Sequence, residues 1–123
     1  MSELKITKLN CWFDERIAEC RQRNKELLCD ERRDEAELEK IRANVYDIFR
    51  TVLSAGVKAC KGDEDDVRSF FEQKCEQIPS NWLASLEKAS QHGDELKVRI
   101  EQLKLDTIGE IKQSFALIWE EEQ

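Results

Sequence analysis

Apolar side chains recur at helical spacing along almost the whole chain. Between Asn10 and Ala55 they fall at Phe13, Ile17, Cys20, Leu27, Leu38, Ile41, Val45, Ile48 and Val52, and Phe49 and Leu53 widen the stripe at its end. Steps of three and four residues keep such positions on one face of a helix. No Gly or Pro interrupts the chain before Gly56, so the pattern predicts an unusually long first helical region over residues 10–55. Gly56 stands where a left-handed helix end is placed, although Val57 to Cys60 are able to carry the helix on to Gly62.

The stripe thins at one charged waist, Asp30-Glu31-Arg32-Arg33-Asp34-Glu35. Two readings compete there. Asp is a favoured N-cap and acidic residues suit a first turn, so the chain can reverse near residue 30 into a hairpin. Alternatively the helix continues: alternate steps of four and three from Cys20 pass through Asn24, Leu27, Glu31 and Asp34 and arrive at Leu38 in phase. The waist holds no breaker and its Glu, Arg and Ala favour helix, so the pattern leans to continuity.

Further on, the breaks are plainer. A second helix is expected over residues 63–78, with Asp63 to Asp66 in its first turn, Val67, Phe70, Phe71 and Cys75 inside, and Pro79 as its end. A short helix over 80–92 places Trp82, Leu83, Leu86 and Ala89 inward and stops at Gly93. Asp94 then caps a last helix over 94–120 with a core stripe of Leu96, Ile100, Leu103, Ile108, Ile111, Phe115 and Ile118. Val98 and Leu105 lie off that stripe, seven residues apart, and suggest a second contact surface. The fold class expected is therefore all-α, a bundle of four to five helices in one domain over residues 1–123.

A helix running unbroken from Cys11 to Ala55 would be about 67 Å long at 1.5 Å per residue. A compact chain of this size is only about 35 Å across. The later helices would cover half of such a rod, leaving Phe13, Ile17, Cys20, Leu27 and Leu28 as an apolar stripe in water, which an interleaved symmetric homodimer would cover. These five residues, with Val98 and Leu105, are the candidate interface.

Composition agrees with helix: 38% of the 123 residues are charged, with four Gly and one Pro. Net charge is −7, but 13 basic and 12 acidic groups lie in residues 1–61 against 7 and 15 in residues 62–123. So acidic a second half disfavours nucleic acid as a partner, because it repels phosphate. The Arg-rich run of Arg16, Arg21, Arg23, Lys25, Arg32 and Arg33 is interleaved with carboxylates and reads as a solvated helix surface. No apolar run approaches the length of a membrane span and no export signal is evident, so a membrane is not expected. Five cysteines, no two closer than nine residues, suit reduced thiols and a cytoplasmic location rather than a disulfide framework.

Candidate chemistry is sparse. There is no Cys-x-x-Cys, and Cys11, Cys20 and Cys29 project alternately to opposite sides of a helix. His92 is the only histidine and stands at a predicted helix end. Asp63 to Asp66 departs from a calcium loop, having Arg68 and Lys74 at positions that need Gly and Glu. Carboxylates offer the one catalytic prospect, since helical bundles hold Mg²⁺ or Mn²⁺ between facing acids, as all-helical nucleotide pyrophosphohydrolases do. Asp34, Glu35, Glu37 and Glu39 would have to face Glu95, Glu101 or Asp106, yet the paired Glu-x-x-Glu and Glu-x-x-Asp signature of those enzymes is missing. No catalytic, cofactor or metal set is identified. The leading expectation is a non-enzymatic, cytosolic helical interaction or assembly protein that pairs with itself and presents its surfaces to a protein partner. A divalent-metal-dependent nucleotide hydrolase is the alternative, and a regulator using the Arg-rich run is a third.

Overall fold

The computed structural model describes residues 2–120, and its first helix, α1 (Ser2–Cys29), ends at the charged waist. Arg32 N–H donates to the Leu27 carbonyl at 2.9 Å and Glu31 N–H to the Leu28 carbonyl at 3.1 Å. These two bonds close a Schellman motif with Glu31 in the left-handed region at φ 60°. The chain then reverses into α2 (Arg33–Ala59). The continuous rod is thus corrected to a hairpin. The shared phase across the waist does not mark a shared face: Glu31 and Asp34 are exposed, while Asn24 faces the returning helix and its amide Nδ2 donates to the Ala36 carbonyl at 2.7 Å.

Two more helices end by the same bonding. Gly62 N–H reaches the Val57 carbonyl and Lys61 N–H the Lys58 carbonyl after α2, with Lys61 at φ 54°. Asp94 N–H reaches the Ala89 carbonyl and Gly93 N–H the Ser90 carbonyl after α4 (Ser80–Gln91), with Gly93 at φ 69°. Two starts are set by acids. Asp63 accepts from Asp66 N–H at 3.0 Å to cap α3 (Glu64–Gln77), and Asp94 accepts from Lys97 N–H at 3.1 Å to cap α5 (Glu95–Glu120). Pro79 separates α3 from α4, as the sequence indicates. Gly56 is not an end: it lies inside α2, where an added Cβ would come 2.7 Å from the Phe70 ring.

Every described element is a helix, and the helices pack as a bundle. α1 runs antiparallel to α2. Lys112 pairs with Glu76 and Arg68 with Glu120, so α5 runs antiparallel to α3 and alongside α2 in the same sense. One cluster of buried side chains runs through the bundle, built on Phe13 from α1, Phe49 and Leu53 from α2, Phe71 from α3, and Ile111 and Phe115 from α5. Phe71 lies at its centre, with ring centroids 6.4 Å from Phe13, 6.2 Å from Phe49 and 4.4 Å from Phe115.

Several details depart from the apolar pattern. α1 begins at Ser2 rather than near Asn10, since Ile6 and the fully buried Leu9 extend the Phe13 face by one more step of four and one of three. On α2 the inward face carries Ala43, Tyr46, Phe49 and Leu53, and Ile48 is 40% exposed. On α5 the stripe starts later than expected, because Leu96 is 54% exposed. In place of an early leucine, Glu101 and Thr107 are buried there.

Candidate functional site

The candidate interface residues separate into three places. Phe13, Ile17 and Cys20 are buried inside this one chain, against α2 and the rest of the core. That corrects the exposed stripe: with the hairpin closed, α2 covers what a second copy was needed to cover. Leu27 is half-buried and Leu28 is 51% exposed at the hairpin tip. Val98 and Leu105 are half-buried on α5, and Val98 joins Leu38 and Leu103 around a shallow depression of about 310 Å³ between α2 and α5.

A larger concavity lies in the α1–α2 hairpin. One seam between these helices is closed by charge and aromatic contacts: Glu39 lies 3.9 Å from both Arg23 and Arg42, and Trp12 meets Tyr46 edge to face at 5.6 Å. The opposite seam is an open groove of about 570 Å³. Cys20, Ala36 and Ala43 line it with small side chains, and Leu28 lines it at the tip. The residues of α2 that line it differ from Leu38 and Tyr46, which meet α5, so the groove is on the outside of the bundle. Arg33 and Asp47 mark its extent along α2, about 21 Å of helix axis.

Arg21, Arg33 and Lys40 line this groove, and none of the three forms an ion pair among the described residues. Two carboxylates are also present. Asp47 is held at 2.6 Å by Arg50, which also reaches Asp14, while Glu37 is exposed and unpaired. Cys20 is a neutral thiol: burial first, and then the carboxylate of Glu39, push its pKa up to about 11. It contributes volume and no nucleophile at neutral pH.

Of the other cysteines only Cys75 is buried in the same way. All five are free thiols; burial pushes Cys75 up to about 12, while Cys11 and Cys29 are exposed on α1. His92 is exposed at the end of α4. The carboxylates considered for a divalent metal do not converge. Glu35 pairs with Arg32, Glu39 with Arg23 and Arg42, Glu101 with Lys104 at 3.3 Å, and Asp106 accepts from Gln102. Glu37 points to the opposite side of α2. Among the described residues no three His, Cys, Asp or Glu side chains are grouped so as to hold a metal ion.

Cys20 and Leu28 of the groove were visible in the sequence as apolar interface candidates, but its cations were not seen as a group, because Arg21 and Lys40 become neighbours only through the reversal at residues 30–32. No described helix is long and apolar enough to cross a membrane. Compared with known protein families, curated proteins and solved structures, the chain matches none of them.

Proposed function

We propose that this chain is a non-enzymatic helical interaction protein, and that the outer groove of the α1–α2 hairpin receives a segment of a different protein. The observation that carries this reading is the groove itself: an open channel with Ala36 and Ala43 at its base and the half-exposed Leu28 at its end. Alanines seven residues apart let a docked backbone come close, and an exposed leucine beside them supplies an apolar anchor. A second copy of the chain is no longer required by exposed core residues, so self-pairing is a competing occupant and not the reading preferred. Free thiols suit the reducing cytoplasm, where we place the protein.

The test is a photo-crosslinking amino acid at Leu28, with Leu117 on the far side of the molecule as control, in the cells that make the protein. A discrete adduct with another protein from position 28 and none from 117 is expected. Equal adducts from both positions, or none, would overturn the reading. An adduct with a second copy, together with a solution mass of twice 14.5 kDa, would replace it by self-assembly. Metal-dependent nucleotide hydrolysis by the purified chain, lost on Glu37→Gln or Glu101→Gln, would return the hydrolase alternative.

A further inference from the structure

We infer that the segment received by the α1–α2 groove is an acidic helix, with carboxylates about seven residues apart on the face it presents; this rests on the reading of the groove as a receiving surface. The spacing comes from the groove. Arg33 and Lys40 are seven residues apart on α2, on one face and about 10 Å apart along the axis. Arg21 faces Lys40 from α1, because the antiparallel pairing that sets Asn24 against Ala36 brings Arg21 level with the next turn of α2. Positive charge is thus concentrated at two levels, one turn pair apart, in a chain that is otherwise acidic.

Contrary charges are fewer. Asp47 is paired with Arg50, a guanidinium it shares with Asp14, and among the described residues lining the groove Glu37 is the one carboxylate without an ion pair, against three cations without one. Glu37 lies on the same helix between Arg33 and Lys40, so any interaction it makes in the empty groove is an exposed one of small worth. A docked helix with Glu or Asp at positions i and i+7 would place one carboxylate near Arg33 and the other between Lys40 and Arg21. Its intervening small or apolar side chain would rest on Ala36 and Leu28. A polyphosphate chain would meet the same cations, but residues 62–123 carry 15 acidic against 7 basic groups and repel a long polyanion. A short acidic helix stays within the cationic stretch.

The experiment is selection of binders from a randomised helical peptide library, on the wild-type chain and on Asn44→Trp. Asn44 is an exposed groove residue, so this substitution blocks the channel without touching the core. Expected are peptides lost on Asn44→Trp, enriched in Glu or Asp at i and i+7, and bound about tenfold more weakly by Arg33→Glu/Lys40→Glu. That double variant should in turn select basic peptides. Groove-dependent peptides without acidic enrichment would overturn the charge assignment and leave the groove reading intact. No groove-dependent peptides at all would overturn both. Retention of duplex RNA or DNA more tightly than any selected peptide, abolished by Lys40→Glu, would overturn the assignment in favour of nucleic acid.

Discussion

Phe71 of α3 lies nearly parallel to Phe115 of α5, with ring centroids 4.4 Å apart and an interplanar angle of 22°. The same Phe71 ring also meets Phe13 of α1 and Phe49 of α2, so one side chain joins four helices at the middle of the core. Removing it leaves a cavity that neighbours on three separate helices cannot all fill. Phe71→Ala is expected to cost about 3–5 kcal/mol, the range for large aromatic truncations in a core. Urea denaturation followed by circular dichroism measures it, and a loss below about 1 kcal/mol would contradict this placement of Phe71.

Glu31 occupies a left-handed backbone position that disfavours any side chain with a Cβ. Glu31→Gly removes that strain, partly offset by the greater freedom of glycine in the unfolded chain. A net gain of about 1 kcal/mol is expected, seen as a higher melting temperature. Were the chain helical through the waist, the same change would instead destabilise it by about 1 kcal/mol, so the sign of the shift distinguishes hairpin from rod.

Alkaline pH should loosen the fold through its buried thiols. Cys20 and Cys75 are raised from an ordinary 9.0 to about 11 and about 12, chiefly by burial. A group raised in the folded state contributes stability that is intact below its unfolded pKa and is lost as pH climbs through its folded pKa. Stability should therefore fall from pH 9 upward, with Tyr46, also raised by burial and by Glu110, adding to the fall at higher pH. Cys20→Ala/Cys75→Ala should show a shallower decline between pH 8.5 and 10.5 than the parent. Identical slopes would mean that these thiols ionise freely in the folded chain.

Lys5 ties together three helix ends. Its ammonium group is nearly buried, donates to the Trp119 carbonyl at 2.6 Å and pairs with Glu64, while the Trp119 indole N–H donates to the Glu64 carbonyl. A cation suits the C-terminal end of α5 and a carboxylate suits the start of α3. Lys5→Met should lower stability by about 1–3 kcal/mol and speed hydrogen exchange in the last turn of α5. Unchanged exchange there would show that Lys5 does not hold that end.

Much of this architecture was legible in residues whose effect is local. Asp63 and Asp94 cap helices because their side chains accept from the N–H three residues on, and Pro79 and Gly93 interrupt through their own backbone preferences. The reversal at the waist was not legible by the same rule. A Schellman ending is expected at glycine, and here the left-handed place is taken by Glu31, held by its own N–H bond to Leu28, by the Arg32 N–H bond to Leu27 and by the packing of α2 on α1. The inward face of α2 was legible only in part: Val45, Phe49 and Leu53 are buried as expected, but Ala36 and Ala43 count little as hydrophobic residues, although small size is what lets the two helices approach. With the pattern leaning to continuity over the hairpin it also offered, the groove did not emerge, since Arg21 and Lys40 share it only across the turn.

The Lys5 to Trp119 contact also brings residues near the two extremes of the described chain within hydrogen-bond distance. The bundle is therefore close to a closed ring of helices, and the point at which the polypeptide is cut matters little to its packing. A permuted chain with a short linker bridging these neighbourhoods and new ends opened between Asp30 and Arg32 should keep the same core, while freeing the tip of the groove from its covalent turn.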